Sequence, residues 1–149
     1  MAGFNGKFES SKQDWETPDE LFLPLKHEFN FTLDAAASKE NAKAEIFLTA
    51  AEDGLSKAWA PNVTWCNPPY GDSASRISKW VEKAAKEARE GATVVMLIPA
   101  RTNTNWFHDF CLGEGEVRFI RGRPKFGGAE HGLPQPLAIV VFRPLANTI

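Results

Sequence analysis

The sequence predicts a single α/β domain with a mixed, mostly parallel β-sheet and an antiparallel strand near the C-terminus. Thr93 to Ile98 is a continuous apolar and β-branched run, which is typical of a central parallel strand covered on both faces. The segment before it, from about Ala74 to Glu90, repeats apolar residues at helical spacing and stops at Gly91. The chain has 149 residues, of which 43% are hydrophobic, so one domain with a sizeable core is expected.

Composition and charge exclude several classes of protein. No apolar run approaches the roughly 18 residues that a membrane-spanning helix needs, and residues 1–13 read as a flexible lead-in without an apolar signal core. The two cysteines, Cys66 and Cys111, have neither metal-ligand nor disulfide spacing, so we expect reduced thiols in a cytoplasmic protein without a metal site. The net charge of −2 argues against indiscriminate coating of nucleic acid, although basic residues concentrate between Arg118 and Lys125.

The first helix is expected to begin just after Trp15. Thr17 reads as its N-cap, Pro18 as its first helical residue and Glu20 as the acidic partner of a capping box. Pro24 is expected to shorten or bend this helix. The free N–H groups and the positive dipole end at such a start can receive a carboxylate, although the pattern alone more often only caps a helix.

A short aromatic strand from Phe29 to Leu33 is expected to end at Asp34, and the small residues Ala35, Ala36, Ala37 and Ser38 follow it. An acidic residue at the carboxyl end of a strand, followed by residues that let a ligand approach the backbone, favours a nucleotide-like ligand. A solvated aspartate in a turn is the alternative. Without a G-x-G-x-x-G motif a dinucleotide site is a weak hypothesis, and Asp53 offers a second acidic group in a turn.

The apolar strand Val63 to Cys66 runs directly into Asn67-Pro68-Pro69-Tyr70. Two consecutive prolines fix φ and remove two backbone donors, so the chain leaves the sheet in a loop rich in carbonyl groups. The side-chain oxygen of Asn67 and the carbonyl of Pro68 can accept both hydrogens of an exocyclic amino group, while Tyr70 stacks on the ring that carries it. A simple strand-ending turn is the alternative.

The helix that follows this corner is expected to turn its charged side chains toward solvent. These are Lys79, Glu82, Lys83, Lys86 and Glu87. A short helix from about Asn105 to Leu112 is expected to supply core residues.

Strands are predicted from Glu116 to Arg121 and from Leu137 to Phe142. The Gly/Pro-rich loop between them, residues 122–136, is long for a compact domain, so we expect it to be mobile and to contact substrate. The basic residues at the start of the loop indicate contacts with phosphates, and its aromatic residue, Phe126, indicates a surface that packs against a base. A solvated hairpin loop is the alternative. The candidate nucleic-acid contacts are Arg101, Arg121, Arg123, Lys125 and Phe126.

Five stretches, in this order, resemble the phage-type (Dam-type) DNA N6-adenine methyltransferases. They are Trp15-Glu16-Thr17-Pro18, residues 31–38, residues 65–70, residues 95–101 and residues 122–126. The resemblance implies a Rossmann-like fold, S-adenosylmethionine as cofactor, and methyl transfer to N6 of a flipped adenine in double-stranded DNA. It also implies cofactor contacts from Trp15, Thr17, Pro18, Asp34, Ala35, Ala36 and Asp53, and catalytic roles for Asn67, Pro68, Pro69 and Tyr70.

Two departures from the wider pattern limit what the resemblance implies. Alanines follow Asp34 where many methyltransferases carry a glycine-rich loop, and the chain from Asp34 to Asn67 has room for one or two compact elements. No residues remain for a separate target-recognition domain, so low sequence specificity, or reading by the 122–136 loop, is expected. Methylation of RNA or of a protein glutamine, and a catalytically inactive DNA-binding module, are the competing hypotheses.

Overall fold

The computed structural model of the chain describes residues 16–69, 74–124 and 135–145 and contains a six-stranded sheet. In chain order its elements are α1 (Asp19–Phe29), β1 (Leu33–Asp34), β2 (Ile46–Phe47), two 3₁₀ turns (Ala50–Glu52 and Gly54–Ser56), β3 (Val63–Cys66), α2 (Ala74–Arg89), β4 (Thr93–Pro99), a π-helical turn (Phe107–Leu112), β5 (Glu116–Phe119) and β6 (Leu137–Phe142). Within the described ranges, no helix combines the length and the apolar character needed to span a bilayer.

The strand directions confirm the predicted mixed sheet, whose order is β2-β1-β3-β4-β6-β5. The neighbours β2, β1, β3 and β4 run parallel, and β6 is antiparallel to both β4 and β5. The central strand β4 is therefore parallel to its neighbour on one side only, which the sequence did not predict. As a result, the carboxyl ends of β1, β3, β4 and β5 and the start of β6 meet at one edge of the sheet.

Each face of the sheet is covered by a separate group of apolar side chains. Val94, Met96 and Ile98 pack with α2 and the π-helical turn, whereas Val95 and Leu97 pack with α1. This alternation follows from the two-residue period of a strand, which sends successive side chains to opposite faces. The continuous apolar run of β4 is thus explained by burial on both sides.

The structure corrects the prediction for the first helix. Pro18, not Thr17, is the N-cap of α1, no side chain caps the helix, and the predicted capping box is absent there. Pro24 lies inside α1, which continues for five more residues to Phe29, so the expected shortening of the helix at Pro24 is not observed. Phe29 therefore ends a helix and does not start a strand.

The short helix expected from about Asn105 to Leu112 is confirmed, and its centre is the π-helical turn. Two further predictions differ from the structure. Glu87, expected in solvent, is 1% exposed. Strand β5 ends at Phe119, two residues before the predicted end. After β5 the chain turns away at Gly122, whose φ of 76° lies in the left-handed region that glycine adopts without a steric penalty.

Candidate active site

The carboxyl ends of β1 and β3 bring Asp34 and Asn67 to the same edge of the sheet. Asp34 pairs with Trp65 in the parallel register, and the N–H of Ala35 donates to the carbonyl of Trp65 at 3.0 Å. Asn67 directly follows β3, so its side chain stands beside the residues that follow β1. Open α/β sheets bind their ligands at this edge, and the structure therefore brings the two predicted motifs together.

Thr17 orients the side-chain amide of Asn67. The Asn67 Nδ2 donates to the Thr17 Oγ1 at 3.3 Å, and Thr17 is 3% exposed. With its nitrogen directed to this hydroxyl, the amide presents Oδ1 as an acceptor, and no residue of the described ranges donates to that oxygen. Thr17 therefore contacts the Asn67 amide directly, a partnership that its position in the sequence did not indicate.

Asp34 is buried at 2% exposure and shapes the loop that follows β1. Its two carboxylate oxygens accept the backbone N–H groups of Ala36 at 3.2 Å and Lys43 at 2.9 Å. Burial raises the pKa of Asp34 to about 6, although these two N–H groups and the Lys43 charge favour the ionised form. The carboxylate thus holds the Ala35–Ala36 turn against the chain at Lys43.

A cleft of about 380 Å³ opens beside this turn. Of the predicted cofactor residues, Ala35, Ala36 and Asp53 line it, together with the catalytic candidates Asn67 and Pro69. Ala37 and Ser38, predicted to let a ligand approach the backbone, also line it, and the prediction did not assign a site role to the other lining residues, which are Thr49, Ala50, Gly54, Leu55, Arg76 and Trp80. Residues 49–55 supply the outer wall of the cleft. Thr49 and Glu52 form a capping box for the first 3₁₀ turn of this wall, so the S/T-x-x-E pattern is a sequence signal for it.

The floor of the cleft depends on a close backbone contact. A Cβ on Gly54 would lie 2.2 Å from the carbonyl oxygen of Ala35, so this position admits only glycine. The carbonyl of Gly54 accepts the indole N–H of Trp59 at 2.9 Å, and Trp59 stacks on Trp80 with ring centroids 6.1 Å apart. The Ala35 turn and the outer wall therefore approach each other as closely as the backbone permits.

Glu87 fixes the chain at Trp59 from within the core. Its Oε1 accepts the N–H groups of Trp59 at 2.8 Å and Ala60 at 2.9 Å, and its Oε2 accepts from the Lys83 ammonium at 2.7 Å. Burial opposes ionisation of Glu87, but the Lys83 ammonium and the two N–H groups hold its pKa below the ordinary value of 4.5. No local sequence pattern indicates this contact, because Glu87 and Trp59 are 28 residues apart.

A small polar pocket of about 20 Å³ adjoins the cleft on the side of α1. Its walls include Thr17, Asp34 and Lys43, and it shares Ala36, Ala37, Ser38 and Asn67 with the cleft. Lys43, which the sequence did not indicate, has a side chain that is 10% exposed and an ammonium 3.1 Å from the Glu16 carboxylate. Pro18, predicted to bind the same ligand as Thr17, does not line this pocket.

The predicted basic contacts lie toward the same edge of the sheet. Arg101 follows β4 and its Nη2 donates to the Gln135 Oε1 at 3.4 Å, and the exposed Arg121 and Arg123 follow β5. Arg118 differs, because it pairs with Glu28 and Glu116. Four predicted site residues, Trp15, Tyr70, Lys125 and Phe126, lie outside the described residues.

Comparisons with known proteins give a family for the chain. The family model described as DNA N-6-adenine-methyltransferase (Dam) matches residues 6–145. The chain is 34% identical over 108 residues to a DNA N-6-adenine-methyltransferase of Escherichia phage T1, covering 71% of this chain and 44% of that protein. It is 29% identical over 147 residues to a DNA N-6-adenine-methyltransferase of Haemophilus phage HP1, covering 93% of this chain and 83% of that protein. The chain thus spans less than half the length of the phage T1 relative.

Proposed function

Since the chain belongs to the DNA N-6-adenine-methyltransferase (Dam) family, we propose that it transfers a methyl group to N6 of adenine in DNA. The observation that carries the proposal is the orientation of Asn67. Its amide is fixed by Thr17 at the carboxyl end of β3, at the point where the large cleft and the small polar pocket meet.

The chemistry of adenine explains why an amide suits this position. The lone pair of N6 is delocalised into the ring, so the free amine is a poor nucleophile. The Oδ1 of Asn67 and the carbonyl of Pro68 would accept the two N6 hydrogens and draw the nitrogen toward a geometry that exposes its lone pair. Because an amide is no general base, the site would act by positioning and electrostatics, and positioning alone lowers a barrier by about 7–11 kcal/mol in the best cases.

The residues of the cleft fit S-adenosylmethionine, the cofactor we propose, in a Rossmann-like fold. The cleft has room for a nucleoside between the Ala35 turn and Trp80, and the close contact between Gly54 and Ala35 lets a ligand lie against the backbone. Asp53 at its rim offers a carboxylate for ribose hydroxyls. When bound, this cofactor supplies the methyl group as an electrophile on a positively charged sulfur.

The basic residues at the edge support DNA as the substrate. Arg101 follows β4, the neighbour of β3, and Arg121 and Arg123 follow β5 farther along the same edge of the sheet, where the three arginines would hold phosphates of the DNA that carries the flipped adenine. Flipping costs a few kcal/mol, and stacking of the base on Tyr70 and Phe126 would offset about 1–3 kcal/mol per contact. The relatives are phage proteins, so the reaction would take place in the cytoplasm of the host.

The test is transfer of labelled methyl groups to unmethylated DNA, followed by analysis of the nucleosides. Wild-type protein should form N6-methyladenine, and Asn67→Ala should lower the rate by on the order of 10²–10³-fold, as loss of one preorganised polar group does in other enzymes. Thr17→Val, which removes only the hydroxyl that orients Asn67, should cause a smaller loss. Full activity of Asn67→Ala would refute the role of the corner, and methyl transfer to RNA or protein but not to DNA would change the substrate.

A further inference from the structure

We propose that Lys43 binds the carboxylate group of the methyl donor and so selects an amino-acid-bearing nucleoside over a simple one. The inference rests on the proposed function, since it concerns the ligand of the same site. It adds a residue that neither the motifs nor the resemblance indicated.

Lys43 is a fixed and largely buried cation in the wall of the small polar pocket. Its side chain is 10% exposed, and its ammonium lies 5.0 Å from the centre of the Phe22 ring. Its backbone N–H donates to the Asp34 carboxylate at 2.9 Å, which holds the main chain at Lys43 in place. A lysine held in this way loses little conformational freedom when it binds a ligand, so a contact with it is stronger than one with a surface lysine.

The partner of Lys43 leaves it able to bind a second anion. The Glu16 carboxylate lies 3.1 Å away and its side chain is 55% exposed, so water can replace it as a partner of the Lys43 ammonium. An ammonium carries three donors, whereas Glu16 takes one. Among the described residues, the Asp34 carboxylate also interacts with the Lys43 charge, but its two oxygens already accept the backbone N–H groups of Ala36 and Lys43.

The layout of the two cavities matches a ligand with a nucleoside at one end and a carboxylate at the other. The small pocket, at about 20 Å³, holds a single small polar group, and it joins the cleft at Ala36, Ala37, Ser38 and Asn67. A ligand that fills the cleft and reaches Lys43 must pass Asn67, where the transferable group has to lie. A nucleoside without a charged tail would fill the cleft alone.

The test compares two ligands by isothermal titration calorimetry. One is S-adenosylhomocysteine, and the other is its decarboxylated analogue, which keeps the amine and the nucleoside. Lys43→Met keeps the apolar stem against Phe22 and removes the charge. It should weaken binding of S-adenosylhomocysteine by about 10–100-fold, the range of a charge-assisted hydrogen bond, and change binding of the decarboxylated analogue by less than about 2-fold. Lys39→Met, an exposed change in the same segment, should alter neither affinity.

Glu16→Gln distinguishes a ligand contact from a merely structural ion pair. If Lys43 binds the ligand carboxylate, removal of the competing charge leaves S-adenosylhomocysteine bound at least as tightly as in the wild type. If the pair only holds the fold, Glu16→Gln and Lys43→Met both weaken the two ligands alike, which would overturn the inference, as would an unchanged affinity in Lys43→Met. Failure of the wild-type protein to bind S-adenosylhomocysteine would instead refute the proposed cofactor, and this inference with it.

Discussion

Two Lys–Glu pairs at the same i, i+4 spacing lie in α2 and at its C-terminal end, and they should differ about tenfold in their contribution to stability. Lys83 and Glu87 are buried, with side-chain exposures of 12% and 2%, whereas Lys86 and Glu90 are exposed at 56% and 53%. In Glu87→Gln the amide oxygen can still accept the N–H groups of Trp59 and Ala60, but the amide nitrogen meets the Lys83 ammonium as a second donor. Loss of one partner from a buried pair costs about 3–5 kcal/mol.

The matched change Glu90→Gln removes the exposed pair at the C-terminal end of this helix, and such pairs contribute about 0.3–0.5 kcal/mol. Urea unfolding of the wild type and both variants measures this difference directly. In a chain of this size each kcal/mol shifts the melting temperature by about 2–4 °C, so Glu87→Gln should melt on the order of 10 °C lower, with Glu90→Gln close to the wild type. Equal, small losses in both variants would refute the reasoning, because burial would then not distinguish the pairs.

The pH dependence of Glu87→Gln provides a second check. The pKa of Glu87 is lower in the folded chain than its ordinary value of 4.5. Its contribution to stability is therefore present above pH 4.5 and is lost as the pH falls through the folded pKa. The gap between the wild type and Glu87→Gln should narrow in acid, and a gap that stays constant down to pH 3 would contradict an ionised Glu87.

Three further predictions follow from contacts in and around the cleft. Gly54→Ala places a Cβ against the Ala35 carbonyl, so calorimetry should show a loss of cofactor affinity of at least about 10-fold, whereas Gly113→Ala should leave binding intact. The buried indole N–H of Trp106 has no partner among the described residues, whereas that of Trp59 donates to the Gly54 carbonyl. Only Trp59→Phe takes a donor from a buried acceptor, so Trp106→Phe should lower the free energy of unfolding by about 1–3 kcal/mol less than Trp59→Phe does in urea unfolding. The pKa of Asp34 is raised from 3.8 to about 6, so the folded state binds a proton that the unfolded chain has already lost in this range. The free energy of unfolding should therefore fall as the pH rises from about 4 to 6, and urea unfolding of Asp34→Asn over the same pH range should lack this fall.

The parts of the site that the sequence predicted are those fixed by local chemistry. Val63–Cys66 and the corner at Asn67 could be recognised because an apolar strand followed by two prolines leaves the chain few conformations. Asp34 could be recognised because its position at the end of a strand needs no knowledge of the rest of the fold. The alternation of strand and helix likewise predicted a mostly parallel sheet whose faces are covered by helices.

The parts that could not be predicted depend on partners distant in the sequence. Thr17 and Thr49 each begin an S/T-x-x-E pattern, but the capping box forms only at Thr49. Thr17 instead contacts Asn67, which is 50 residues away. Glu87 has the sequence environment of a solvated helix face, yet it is buried because α2 meets the chain at Trp59. Only the packing of the whole fold determines these contacts.

Few backbone hydrogen bonds join the outer wall of the cleft to the sheet, because strand β2 is two residues long and Leu48 adds bonds to Asp34 and Ala37. The pairs Leu33–Ile46 and Asp34–Phe47 are its register, whereas β4 and β6 pair over six residues. Amide hydrogen exchange should therefore be fast at Thr49 to Leu55 and slow in β4, because segments with few backbone bonds open without global unfolding. A ligand that fills the cleft contacts this segment at Thr49, Asp53 and Leu55, so ligand binding should slow exchange there more than in β4. The residence time of the ligand would then depend on how often a short edge strand detaches, and not on the strength of the core.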